Sequence, residues 1–191
     1  MKKFLATLGI VCCTYMATPV NAAPQNYHID PNHTFASFEF SHLGYSLQRS
    51  RFDKVRGNIM LDQAKQTGSA IIDIDTTSIN TGSAVFNGHL RGEDFFNAEQ
   101  FPKIEFKSTA FNFVKGNLSS VNGNLTIKGI THPVTLEVTH FKCMMHPMLN
   151  KHACGANAVA TIQRSLFNMG KYVPQIPDDI SLYIAIEAIQ E

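Results

Sequence analysis

Apolar residues recur at every second position through most of this chain. That alternation constrains the fold more than any other feature, because a period of two marks strands with one face in and one face out. Ala36, Phe38, Phe40 and His42 share one side of such a pattern, and Ser37, Glu39 and Ser41 share the other. Val55, Gly57, Ile59 and Leu61 repeat it, then Ala70, Ile72 and Ile74, then Ile104 and Phe106. Val121 to Ile127, Val134 to Val138, Ala156 to Ile162 and Leu182 to Ile186 complete about eight strands. Thr67-Gly68, Lys115-Gly116-Asn117 and Lys128-Gly129 supply turn-forming residues between them.

One central segment departs from the pattern. From Gly82 to Phe96 the apolar residues Val85, Phe86, Leu90, Phe95 and Phe96 do not alternate, which predicts a short helix or irregular plug ending before Phe101-Pro102. Eight antiparallel strands with one helical insertion point to a closed or sandwich-like barrel. At that strand number a barrel can enclose one small ligand.

The first 22 residues set the compartment. Lys2 and Lys3, the apolar run Phe4 to Met16 and the small residues at Val20-Asn21-Ala22 form the pattern of a cleaved export signal. A mature protein is expected from Ala23, delivered to the periplasm or secreted, with Cys12 and Cys13 lost along with the signal. The apolar run falls short of the roughly 18 residues of a membrane helix, and no lipobox precedes the two cysteines. Losing Lys2 and Lys3 leaves 14 basic against 15 acidic side chains. Without a basic stripe, nucleic acid is excluded as a partner. Fourteen Phe, no Trp and 16% charged residues leave much apolar surface to place, as a lined cavity would.

Four stretches carry a family resemblance. They are YHIDPNHTFASFEFSHLGYS at Tyr27 to Ser46, RFDKVRGNI at Arg51 to Ile59, HLRGEDFFNAEQFPKIEFKST at His89 to Thr109, and LTIKGITHPVTLEV at Leu125 to Val138. In this order and spacing the sequence resembles the YceI-like family of periplasmic, lipocalin-like polyisoprenoid-binding proteins, over essentially all of the chain after residue 22. The resemblance implies an all-β fold, an extended antiparallel lipocalin-like barrel of about eight strands with a short helical insert. It also implies a long-chain isoprenoid or fatty-acid-like lipid held inside without chemistry, and transient contact with a membrane or a membrane protein. A homodimer is compatible with it.

Candidate ligand-binding residues follow from the same stretches. Phe38, Phe40, Phe95, Phe96 and Phe106 are lining candidates, although aromatic residues fill ordinary cores as well. His42, Leu43 and Tyr45 follow the first strong strand, and the family places this string beside the lipid cavity; Tyr45 offers a ring and a hydroxyl to a head group. His89, Arg91 and Asp94 form a polar cluster in the insert. Arg91 can supply fixed donors to a quinone, phenol or phosphate head group, or pair with Asp94 across one helical turn. Many relatives carry an Arg-Asp pair just before the His-Leu string, whereas this chain has Phe86-Asn87-Gly88, which makes the expected cavity mouth less polar.

Cys143 and Cys154 remain after processing. In an oxidising compartment, two cysteines eleven residues apart are expected to form a disulfide. A metal-binding alternative stays open, because Cys143, His146, His152 and Cys154 are metal-ligand types and Met144, Met145 and Met148 add soft donors suited to copper(I). No GxSxG, HExxH or phosphate-loop signature is present. His28, His33, His132 and His140 read as surface or strand-end residues. The function expected is therefore a periplasmic carrier of an isoprenoid quinone, its precursor or a similar lipid, with no resident metal or cofactor. A metal-binding protein or an enzyme of isoprenoid metabolism are the alternatives.

Overall fold

The computed structural model describes residues 23–191, and the export signal expected over residues 1–22 lies outside the described residues. Among those described are eleven strands and one α-helix: β1 (Gln25–Ile29), β2 (Phe35–His42), β3 (Ser46–Phe52), β4 (Val55–Asp62), β5 (Thr67–Asp75), β6 (Ile79–Asn80), α1 (Ala84–Arg91), β7 (Lys103–Val114), β8 (Asn117–Ile127), β9 (Ile130–Met145), β10 (His152–Gln163) and β11 (Asp179–Gln190). The ring runs β1-β4-β5-β7-β8-β9-β10-β11 and closes through β1 against β11, giving an eight-stranded antiparallel barrel. Closure pairs every strand on both sides, so the ring has no free edge. β9 alone has 16 residues, about 50 Å of strand at 3.3 Å per residue, and the barrel is correspondingly elongated.

Eight is also the number of alternating segments in the sequence, but membership differs. The sequence pattern includes β2 and omits β1; the ring includes β1, and β2 heads a flap of β2, β3 and β6 that branches from β11. β11 serves both, pairing Ser181–Ala185 with β2 and Ala188–Gln190 with β1. Between those stretches, Thr34 bridges the gap. Its hydroxyl donates to Glu187 O at 3.2 Å and accepts from Glu187 N at 3.1 Å, so a side chain supplies the bonds a ladder residue would have made.

Of the expected turns, Lys115-Gly116 and Lys128-Gly129 are two-residue hairpins with positive φ at both positions, the conformation that matches strand twist. Thr67-Gly68 is not a turn. Both residues lie in β5, paired with Asp62 and Leu61, and the turn falls just before them. Gly68 is there because the Phe111 ring lies over it: a Cβ would stand 2.7 Å from Cδ1 of that ring. α1 starts where Ser83 caps the Phe86 amide and ends at Gly92, with Leu90 as its buried residue. The expected helical segment over Gly82 to Phe96 is thus helix followed by turns.

Candidate functional site

The barrel encloses a cavity of about 550 Å³. It stays open because several strands present small residues to it, among them Ala36, Ala70, Ala156, Ala158 and Ala188, while phenylalanines and branched aliphatic residues line the remainder. Interiors normally pack to crystal-like density, so this much empty apolar space is a built feature. Phe106 shows how the wall is shaped. Its ring lies against Gly123 on the adjacent strand, where a Cβ would stand 2.4 Å from Cε2.

The two ends of the cavity differ. At one, the bordering residues Tyr27, Leu61 and Ala188 are buried and pack with Phe111, Phe141 and the Cys143–Cys154 bridge, which closes that end. At the other, the bordering residues His42, Leu43, His89, Tyr172 and Gln175 are exposed, and the cavity reaches solvent. Three segments frame this mouth: the β2–β3 hairpin tip, α1 with its following turns, and the loop over residues 168–178. Aromatic contacts knit them together. Phe40 lies 6.4 Å from Phe86, His89 lies 4.9 Å from Phe95, and Tyr172 lies 6.5 Å from His89 and 6.4 Å from Phe95, between ring centroids.

Sequence reasoning missed the residue that holds this frame. Arg164 is 5% exposed and borders the cavity. Its guanidinium donates to the carbonyls of Pro177 (3.0 Å), Lys171 (2.8 Å), Ile176 (2.9 Å) and Met169, pinning the 168–178 loop from beneath. Burial pushes its pKa down while Asp178 pushes it up. Asp178 is itself held below the usual carboxylate range, chiefly by the Ser165 hydroxyl at 2.6 Å and further by the Ser165 amide and the nearby arginine. The one clue in the sequence was an arginine set between Ile162 and the apolar pair Leu166-Phe167, a place where a charge stays only if the fold satisfies it. Lys128 adds a second strap, donating to Glu93 O and Asn168 O, and Lys171 pairs with Asp94.

Of the eleven candidate ligand residues, Phe38, Phe40, His42, Leu43, His89, Phe95, Phe96 and Phe106 border the cavity. Phe38, Phe96 and Phe106 are buried, and Phe38 packs against Phe40, Phe52 and Phe96. Tyr45, Arg91 and Asp94 do not border it. The Leu43-Gly44 turn, with positive φ at both residues, directs Tyr45 out to 85% exposure. Arg91 and Asp94 do not pair, because α1 stops at Arg91 and the turn that would bring them together is absent. Arg91 donates instead to Asn87 O at 3.2 Å. Phe86 borders the mouth with an apolar ring.

Cys143 and Cys154 stand opposite each other on β9 and β10 and are disulfide-bonded. Both sulfurs are engaged in that bond, so they are not ligands in a Cys/His metal set. His146 Nδ1 accepts from the Met148 and Leu149 amides at 3.2 Å, which shapes the hairpin tip. His28 contacts Asn58 and Glu191, and His132 Nε2 lies 3.1 Å from Leu166 O. His33, Asp30 and Glu187 bring three possible ligand atoms within 4.8 Å of one another at the closed end. Asp30 there serves the β1–β2 turn, accepting from the Asn32 amide and holding His33 at 2.7 Å.

Fold and site together define a lipocalin-like barrel built around an apolar tube that opens at one end. The chain belongs to the YceI-like family, whose YceI-like domain model matches residues 27–188. It is 31% identical over 194 residues to the protein YceI of Salmonella arizonae, with 100% of both chains covered. Among solved structures it is similar to BcnA of Burkholderia cenocepacia, with a TM-score of 0.73, 27% identity and coverage of 83% of this chain and 98% of that one. It also shares its fold with a polyisoprenoid binding domain from Saccharophagus degradans implicated in plant cell wall breakdown, at a TM-score of 0.65, 17% identity and coverage of 86% and 98%.

Proposed function

We propose that this protein is an exported, periplasmic carrier that encloses one long-chain amphiphile, an isoprenoid quinone or its precursor before a fatty-acid-like lipid, and performs no chemistry on it. The observation that carries the reading is the apolar tube, closed at one end and open at the other. Each CH₂ buried in the tube contributes about 0.8 kcal/mol, so a long hydrocarbon chain offsets much of an association cost of about 4–15 kcal/mol. The polar end of the ligand sits at that mouth, where His89, Gln175 and Arg164 border the cavity. A relative of the same fold bears the description polyisoprenoid binding domain, which supports the isoprenoid choice.

Organic extraction of gently purified protein followed by mass spectrometry tests this reading. It should release about one long-chain amphiphile per chain. Protein that is repeatedly empty and has no affinity for prenyl quinones contradicts it. Osmotic-shock fractionation checks the compartment, with the protein expected in the periplasmic fraction.

A further inference from the structure

The rim of the cavity mouth carries large apolar side chains that stand open to solvent. Tyr45 is 85% exposed, Leu47 65% and Val85 86%, and Leu43, Tyr172 and Val173 are also exposed. They come from three segments far apart in sequence, the β2–β3 hairpin, the start of α1 and the 168–178 loop, yet surround one opening. Leu43 and Tyr172 belong to the rim and to the cavity wall at once. Val85 precedes Phe86, another wall residue. The apolar surface is therefore continuous from the outside of the rim to the interior of the tube.

We infer that this rim docks face-on to a lipid bilayer, seating the mouth against the hydrocarbon so that an amphiphile passes between membrane and tube without crossing water. The inference rests on the carrier reading and adds the surface and the partner. Each CH₂ drawn into water costs free energy, so a carrier whose cargo comes from a membrane gains from an opening that meets the bilayer directly. A second copy of the chain seated on the rim would instead seal the mouth. Tyrosine favours the boundary between water and hydrocarbon, where its ring and hydroxyl are both accommodated.

Rim charges define the kind of membrane. On the segments that frame the mouth, Lys171 pairs with Asp94, and Arg91 is set against the acidic Glu93 and Glu99. With no basic excess at the rim, docking proceeds by apolar insertion rather than by attraction to anionic lipid, and it withstands salt that screens charge. The distal hairpin tip provides the control. Met148 is 84% exposed beyond the closed end, equally apolar in character and remote from the mouth.

Flotation of the purified protein with phosphatidylcholine vesicles tests the inference, alongside uptake of a fluorescent fatty acid from vesicle-free solution as a readout of the cavity alone. The wild type is expected to float with vesicles at low and at high salt. Tyr45→Asp/Val85→Asp is expected to weaken flotation at least tenfold while leaving uptake from solution unchanged, and Met148→Asp to change neither. Neither Tyr45 nor Val85 borders the tube, and both are exposed, so the fold tolerates the change. Wild-type protein that takes up the probe yet never floats overturns the docking, as does a Tyr45→Asp/Val85→Asp variant that floats normally. A dimer in sedimentation that this double variant dissolves assigns the rim to a second copy and also overturns it. Protein that floats yet takes up no probe supports the docking and overturns the carrier reading instead.

Discussion

Arg164 couples the chemistry of a single residue to the shape of the site. It satisfies four loop carbonyls from one buried guanidinium, so Arg164→Met leaves those acceptors unpaired, each at about 1–3 kcal/mol if none finds water. The expected result is a lower melting temperature together with faster amide exchange confined to residues 168–178. Unchanged exchange there would show that the loop holds its place without the arginine. Its neighbour Asp178 gives the region a pH dependence with a definite sign. Because its folded pKa is lowered, chiefly by Ser165, its contribution is complete above the ordinary aspartate value of about 3.9. It is lost as pH falls through the lower folded value. Asp178→Asn should therefore flatten the acid limb of a stability–pH profile, and equal acid limbs in the two proteins would contradict this. At this scale the sequence was legible where a residue alternated on a strand, as for Phe38, Phe40 and Phe106. It was not legible where position depended on a turn: the exit of Tyr45 from the wall follows from the two positive φ angles at Leu43-Gly44, and Asp94 reaches Lys171 across 77 residues of sequence.

Strands with one face buried announced themselves, and those without did not. β3 reads Ser-Leu-Gln-Arg-Ser-Arg-Phe, with only Ser50 and Phe52 buried, so no period of two was present to find. β1 offers just Tyr27 and Ile29 to the interior, too short a run to separate from a loop, although it closes the ring. The 168–178 loop contributes Met169, Tyr172, Gln175 and Ile176 to the cavity from a segment with no repeating pattern at all. The β9–β10 hairpin was the most readable element, since the expected export and the cysteine spacing together predicted the bond that the structure shows. A loop of this length gains about 3 kcal/mol from a cross-link in the chain-entropy model. The bridge lies at the closed end, away from the mouth, so reduction or the Cys143→Ser/Cys154→Ser variant should lower thermal stability and loosen that corner while the tube retains its ligand. One equivalent of copper or zinc in the untreated protein, lost on changing His146 and His152, would overturn this and promote the metal reading.

For the molecule as a whole, closing an antiparallel sheet around small inward residues creates a space that side chains do not fill. The most direct test fills it. Ala158 borders the cavity and is 7% exposed, so Ala158→Phe places a ring in the tube rather than in a packed core, where overpacking would cost about 1–3 kcal/mol. Native mass spectrometry of the wild type and of Ala158→Phe, purified side by side, measures the outcome. The account predicts a co-purified long-chain amphiphile on the wild type, and a folded, substantially emptier variant whose melting temperature without ligand is close to that of the delipidated wild type. Equal occupancy of the two proteins, or a wild type that carries nothing and accepts nothing, would contradict it.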